Sequence, residues 1–467
     1  MKYNLKFDPT KYEVKTVSHD GQTITYRAFE HIVYVEKPMD EQYQSMNIFV
    51  PECYYAGEHI NGYTLHTAPI FLPNKVGGYM PGLPDEPNGT DFGHFSTSFY
   101  ALQRGYVVAA PGVRGRVNRT EEGVYYGKAP ACIVDLKAAV RYLHANADVI
   151  PGDVEKIVSN GTSAGGALSS LLGATGNHPD YAPYLAQLGA ADARDDIFAA
   201  SCYCPITNLD HADMAYEWMY NGENTYHMPR RVVENGEERF VPFAEQMSEA
   251  QIVLSDLAKP QFPAYLNSLG LKDEQGNALT LDESGEGSFK ALVERYVIAS
   301  AQQAREAGED LSGIDWLKYE GDVISAIDFP AYVRYITRMK PALAFDGQSM
   351  TTPENDLFGN ATVNCRHFTE FSCEHSAQKD MAEAQVIHMM NPMNYIGSGD
   401  AKVAPHWRIR HGEADRDTSL AIPVMLATKL RNAGYPVDFR LPWNVPHAGD
   451  YDLDELFAWI DGLAHNS

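Results

Sequence analysis

Gly161-Thr162-Ser163-Ala164-Gly165 is the stretch on which the fold turns. A short apolar run (Ile157, Val158) precedes it and a helix-like run from Gly166 to Ala174 follows, so a serine stands at the corner between a strand and a helix. The G-x-S-x-G spacing serves this purpose in nucleophile elbows, where small neighbours let the backbone turn tightly enough to push the serine hydroxyl into solvent. A flexible surface loop could carry the same five residues. The flanking strand and helix decide for the elbow.

Working outward, an elbow of this kind demands an acid and then a histidine downstream, each beyond the end of a late strand. Trp407 to His411 reads as a strand and runs into Gly412-Glu413-Ala414-Asp415, which sets a carboxylate just past its carboxyl end. Val437 to Leu441 reads as the next strand. It leads into the proline- and glycine-rich loop Pro442-Trp443-Asn444-Val445-Pro446-His447-Ala448-Gly449, before an amphipathic helix from Leu453 to Leu463. Ser163 is therefore the nucleophile, Asp415 the acid and His447 the base. Asp417 competes with Asp415, because Asp415-Arg416-Asp417 offers two carboxylates that a turn can point in different directions; Asp415 is favoured as the first after the Gly412 turn. His406 and His411 compete with His447, but both sit in or before a strand, where a satisfied core or surface histidine is the commoner case.

The remaining segments supply a sheet for these residues. Tyr12 to Phe29 alternates polar and apolar residues around Asp20-Gly21, a strong hairpin signal, and Met46 to Val50 continues it. Ala68 to Leu72 is a short apolar run meeting Pro73-Asn74-Lys75-Val76-Gly77-Gly78, a turn whose paired glycines let backbone amides approach a substrate. Tyr106 to Ala110 and Phe198 to Cys204 read as buried strands, and Ala131 to Ala145 as a helix with apolar positions at Ile133, Leu136, Val140 and Leu143. Alternating strands and helices imply the α/β class, with a mainly parallel sheet covered on both faces.

From Pro205 to about Pro405 this rhythm stops, over far more chain than a strand-helix connection needs. The expected organisation is a hydrolase core of residues 1–204 and 406–467, with residues 205–405 inserted as a lid above the active site. The insertion reads as strand-poor, with helical stretches near Phe243 to Ala258, Phe289 to Ala307 and Ala377 to Met389.

Acidic residues outnumber basic ones by 62 to 37, for a formal charge of −25. That field repels phosphate backbones and anionic bilayers, so neither nucleic acid nor membrane is an expected partner. The opening Met1-Lys2-Tyr3-Asn4-Leu5-Lys6-Phe7-Asp8 lacks the unbroken apolar core of a signal peptide, which makes the cytoplasm the default location. Six cysteines (Cys53, Cys132, Cys202, Cys204, Cys365, Cys373) show no metal-finger spacing and are expected as free thiols packed like small hydrophobes. Asp210, His211, Asp213 and His227 could suggest a metal, but a serine triad needs no ion, so no metal or cofactor is expected.

The elbow Asn160 to Gly166, the segment Trp407-Arg408-Ile409-Arg410-His411-Gly412 to Asp415-Arg416-Asp417-Thr418-Ser419, and the loop Pro446-His447 to Gly449-Asp450-Tyr451 together resemble the bacterial tannases. The resemblance extends to Val76-Gly77-Gly78-Tyr79, His211 to Trp218 and Arg338-Met339-Lys340 to Pro353-Glu354-Asn355, and so covers nearly the whole chain. It implies an α/β-hydrolase that cleaves galloyl esters with Ser163, Asp415 and His447. Its oxyanion donors fall on the N–H groups of Ala164 and Gly77, and its galloyl-binding side chains on Lys340, Glu354 and Asp417. Thr162 and Ala164 flank the serine and Pro446 and Ala448 flank the histidine, so the fungal type with cysteines at those places is excluded. The rival readings are a feruloyl or general aryl esterase, a serine peptidase with an equivalent triad, and a non-catalytic binding protein on the same scaffold.

Overall fold

The computed structural model of the chain describes residues 3–91, 94–234 and 237–466; Met1 and Lys2, which open the stretch read for a leader, lie outside them. Nine strands form one sheet: β1 (Glu13–His19), β2 (Gln22–Val33), β3 (Ser45–Pro51), β4 (Pro69–Pro73), β5 (Val107–Pro111), β6 (Asp153–Thr162), β7 (Ala199–Tyr203), β8 (His406–Arg410) and β9 (Val437–Arg440). Their spatial order is β1-β2-β3-β5-β4-β6-β7-β8-β9. The hairpin β1–β2 turns on Asp20 and Gly21, whose φ values of 48° and 73° are the left-handed pair that a tight two-residue turn requires. Pairing is antiparallel from β1 to β5 and parallel from β5 to β9.

β3, β4, β5 and β7 are buried at every residue, which is why they read as continuous apolar runs rather than alternating ones. The helices α1 (Thr97–Arg104), α2 (Ala131–Ala145) and α3 (Ala164–Ala174) connect β4 to β5, β5 to β6 and β6 to β7. From β4 the chain steps one way to β5, then crosses back over β4 to β6 and continues in that direction. Right-handed crossovers therefore put α1 on one face and α2 and α3 on the other. The final helix, Leu453–Ala464, packs on α1, and α2 packs on α3. The reversal of direction opens a crevice at the carboxyl ends of β4 and β6, the place where open α/β sheets bind ligands. The turn carrying Gly77 and the elbow carrying Ser163 both leave the sheet there.

Between β7 and β8 the chain forms α4 (Leu209–Tyr220), α5 (Glu249–Ala258), α6 (Ser288–Glu306), α7 (Phe329–Ile336) and α8 (Pro353–Leu357), together with further helices and short strands. Its buried apolar residues, Trp218, Phe262, Phe289, Trp316 and Tyr332 among them, are continuous with the cluster under the sheet. Three sequence expectations need correction. The stretch from Phe243 is not helical until Ser248, because Ala244–Gln246 pairs as a strand with Thr225–His227 and Ser248 then caps α5 in a reciprocal box with Gln251. Likewise only Ala384–Met389 of the Ala377 to Met389 stretch is helical. Nor is the insertion strand-poor, since three two-stranded ribbons lie in it among the described residues. Among those residues no helix is long and apolar enough to cross a membrane.

Candidate active site

β6 delivers Ser163 at φ 61°, ψ −122°, a strained conformation that turns the chain abruptly into α3. The glycines explain how the turn is packed. A Cβ on Gly161 would overlap the Gly165 carbonyl and Asn74, and one on Gly166 would overlap the Tyr203 carbonyl of the neighbouring strand. Ser163 stands at the N-cap of α3 but its side chain makes no capping bond, which leaves the partly exposed hydroxyl uncommitted. Its backbone N–H donates to the Tyr203 carbonyl at 3.0 Å and so ties the elbow to β7.

His447 arrives on the loop after β9, and that loop is pinned from two sides. Gly449 lies so close to Thr162 that any Cβ would overlap its Oγ1, while Gly412 of the acid loop lies equally close to the Val445 carbonyl. Asn160 Nδ2 donates to Asp450 Oδ1 at 2.9 Å and Thr97 Oγ1 donates to Asp450 Oδ2 at 2.8 Å, which anchors the loop to β6 and α1. His447 Nδ1 then lies 2.8 Å from Asp415 Oδ2. Burial works against the charge of Asp415, but His447 and His411 beside it outweigh that and hold the carboxyl down at about 2. Asp415 is thus an ionised acceptor, and the His447 Nδ1–H must be the donor. In return, although burial disfavours the imidazolium, the charge of Asp415 holds His447 well above its ordinary value. Among the described residues no hydrogen bond joins Ser163 to His447; His447 Nε2 instead meets Cys204 Sγ, at 3.8 Å.

The doubled carboxylate divides in two directions. Asp415 Oδ1 accepts the Asp417 N–H at 2.9 Å, so the same turn that faces Asp415 to the histidine faces Asp417 outward. Asp417 Oδ2 accepts from Lys340 Nζ at 3.0 Å, and that ammonium also lies 4.3 Å above the Phe345 ring. Burial disfavours the Lys340 charge, but Asp417 and then Glu354 more than compensate and raise its pKa. Glu354, itself buried in the first turn of α8, is pushed upward by that burial.

The segment bearing Lys340 is held by α4. Tyr216 Oη accepts the Met339 and Lys340 N–H groups at 3.2 and 3.0 Å and donates to the Arg416 carbonyl at 3.0 Å. Arg338 pairs through both terminal nitrogens with Glu217, neither side chain being exposed at all.

Ala164 is the first residue of α3, where an N–H has no intrahelical acceptor. The Gly77 N–H has no acceptor either among the described residues, and Gly77 is exposed. Asn74 fastens this turn to the elbow, donating from Nδ2 to the Gly165 carbonyl at 3.1 Å and to Ser169 Oγ at 2.8 Å.

Three residues at the site escaped the sequence reading. Arg116 donates from Nε to the Gly78 carbonyl at 2.8 Å and pairs with Asp356 of α8, so one side chain bridges the Gly77 turn and the helix carrying Glu354. The only signal was the Arg114-Gly115-Arg116 run just beyond β5. Cys204 is no mere small hydrophobe, since it touches His447. His411, expected as a satisfied strand residue, is fully buried with neither ring nitrogen hydrogen-bonded, and its Nε2 lies 3.7 Å from Asp415 Oδ2. Burial lowers its pKa, against the opposing pull of the Asp415 charge.

Of Asp210, His211, Asp213 and His227, the first two meet, with His211 Nδ1 3.2 Å from Asp210 Oδ2, but among the described residues no three of them converge. Asp213 accepts the Phe345 and Asp346 N–H groups, and the His211 ring stacks on Tyr265. Among the described residues the one cluster with metal-ligand spacing is Cys204, Asp415 and His447.

A family described as BD-FAE matches residues 86–217, the stretch that holds the elbow. No curated protein matches the chain. Among solved structures, a tannase from Lactobacillus plantarum is 46% identical with a TM-score of 0.95, over 99% of this chain and 100% of that one. A Fusobacterium nucleatum tannase is 48% identical with a TM-score of 0.94 and the same coverage. A tannin acyl hydrolase in complex with ethyl gallate is 46% identical with a TM-score of 0.93, over 98% of this chain and 99% of that one.

Proposed function

The chain belongs to the bacterial tannases, and from that premise we propose that Ser163, Asp415 and His447 cleave its substrate through a galloyl-serine intermediate. The protein is a carboxylic ester hydrolase acting on gallate esters. Ser163 Oγ attacks the ester carbonyl carbon while His447 Nε2 takes its proton, and Asp415 steadies the imidazolium that results. The Ala164 and Gly77 N–H groups receive the oxyanion. His447 returns the proton to the departing alcohol, and water repeats the sequence to release gallate.

Lys340, Asp417 and Glu354 select the acyl group. Three adjacent phenolic hydroxyls need both donors and acceptors, and a buried site built to meet them penalises acyl groups that leave its charges unpaired. We read residues 205–405 as a lid over the core of residues 1–204 and 406–467, because Lys340 and Glu354 come from that stretch. The observation that carries this reading is the turn at Asp415-Arg416-Asp417: one carboxylate meets His447 at 2.8 Å and the other meets Lys340 at 3.0 Å, which couples the hydrolytic centre to an acyl-selective one. The formal charge of −25 supports a small-molecule substrate rather than nucleic acid or an anionic membrane. Six unpaired cysteines support a reducing, cytoplasmic location.

The test is initial hydrolysis rates on methyl gallate, methyl ferulate and a peptide anilide. Methyl gallate is expected to be preferred strongly over both. A faster rate on ferulate would make the protein a feruloyl esterase, and cleavage of the anilide a peptidase.

A further inference from the structure

Cys204 directly follows the strand beside the nucleophile strand and is buried with its thiol against the His447 loop. Its Sγ lies 3.4 Å from the Ala448 carbonyl and 3.8 Å from His447 Nε2, the nitrogen that carries the basic lone pair. Nothing in ester hydrolysis requires a thiol there. The pair does match what a thiophilic cation requires. With Zn–S near about 2.3 Å and Zn–N near about 2.0 Å, a separation of this size subtends roughly 120° at the metal, within the tetrahedral range.

The surroundings add a second, independent match. A histidine that binds a metal donates its other ring N–H to a carboxylate, which fixes the tautomer and raises ligand basicity. Asp415 stands in that position, 2.8 Å from Nδ1, so the triad that orients His447 as a base orients it equally as a ligand. Cys204, Asp415 and His447 are also the one set of three such side chains among the described residues whose polar atoms lie within 4.8 Å of one another.

We propose that Cys204 Sγ and His447 Nε2 form an inhibitory site for a thiophilic divalent cation such as Zn²⁺, which switches the esterase off by occupying the lone pair of its base. The thiol and, where His447 is protonated, its Nε2–H lose their protons to solvent, an S–Zn bond and an N–Zn bond form, and two coordination positions remain for water. No oxidation is involved, so chelation reverses the state. With the metal in place His447 cannot accept the Ser163 proton, and turnover stops whichever ester is offered.

The test uses the full chain and an aryl acetate, because galloyl hydroxyls would themselves chelate the metal. Zinc chloride is expected to abolish turnover and EDTA to restore it. Cys204→Ala is expected to need at least about tenfold more zinc for the same inhibition, since even an outer-sphere change at such sites has an effect of that size. Equal sensitivity of Cys204→Ala and the parent protein would overturn the proposal, as would an indifferent parent.

Metal binding is also read without turnover. Cadmium chloride titrated into Ser163→Ala should give a thiolate-to-cadmium ultraviolet band that zinc competes away, and that band should be missing from Ser163→Ala/Cys204→Ala. A band of the same strength in the double variant would place the metal on another cysteine and sink the proposal, even if the ester reading stands.

Discussion

Two regions of this site are held in place by different forces. Around Ser163 and His447 the constraint is steric and backbone-borne: Gly161, Gly166, Gly412 and Gly449 each sit where a Cβ would strike a neighbouring carbonyl or side chain, so loops and strand ends lock against one another. Around Lys340 and Glu354 the constraint is electrostatic. Arg338 pairs with Glu217, Lys340 with Asp417, and Asp356 with both Arg116 and Lys128, and most of these side chains are withdrawn from water. Close packing leaves almost no tolerance in position, which suits a nucleophile that must meet its base. Paired charges can exchange one partner for a substrate hydroxyl, which suits recognition.

If the first region alone supplies the chemistry, Ser163→Ala should lower kcat on every ester by something on the order of 10⁶, as removal of a triad serine does. Thermal unfolding of the same variant should match the parent protein, because the partly exposed hydroxyl makes no capping bond to α3. A variant retaining a tenth of parental kcat would put the nucleophile elsewhere.

Asp415→Asn should depress kcat by roughly 10⁴ on gallate and simple aryl esters alike. It should also move the acid limb of the pH profile. The charge of Asp415 is what raises His447, and catalysis needs the neutral imidazole, so removing that charge lets the neutral form persist to lower pH. An unmoved limb would mean that another group titrates there. Asp417→Asn, two residues away, should leave aryl acetates nearly untouched and harm methyl gallate; similar losses on both would erase the distinction between the regions.

A smaller effect should mark the second region by itself. Losing one buried hydrogen bond to a charged group costs about 1.5–3 kcal/mol, so Lys340→Ala and Glu354→Gln should each reduce kcat/KM for methyl gallate by about ten- to a hundredfold. Methyl benzoate turnover is the control. A ratio of the two rates fixed at its parental value would leave both residues without a part in acyl selection.

Arg116 sharpens the comparison because it touches both regions. Arg116→Ala should lower turnover of gallate and benzoate esters together, by about tenfold or less, since its side chain is partly solvated and its partners keep other bonds. It should also couple to Glu354→Gln, with the double variant departing from additivity by about 0.5–3 kcal/mol in kcat/KM. Strict additivity would show that the Gly77 turn and α8 do not communicate.

Much of the first region was legible in the chain because its rules are local. A strand, a small-residue turn and a helix in succession define the elbow, and short connections fix which loop follows which strand. The helix Ala131–Ala145 lies where its apolar spacing put it. The insertion was less legible. Around Phe243, helical composition was overridden by pairing with Thr225–His227, a contact that no local window contains. The Arg338–Glu217 pair and the Tyr216 clasp likewise join residues far apart in the sequence, and ordinary charged residues give no sign that they are buried.

By itself the sequence determined the α/β class, the elbow at Ser163, the place of Asp415 and His447 in the loops after the last two strands, and the long stretch of chain between β7 and β8. Each is written in short-range spacing that backbone geometry obliges the fold to respect. Only the tertiary structure decided which neighbour each side chain meets. It set Cys204 against His447 because β7 lies beside β6 in register, with Thr162 opposite Tyr203, and the loop after β9 returns over both. It buried His411 beside Asp415 with no hydrogen bond among the described residues, and it turned Asp417 toward Lys340. These outcomes depend on strand order and loop return, which bring distant residues within a few ångströms and which spacing along a chain does not encode.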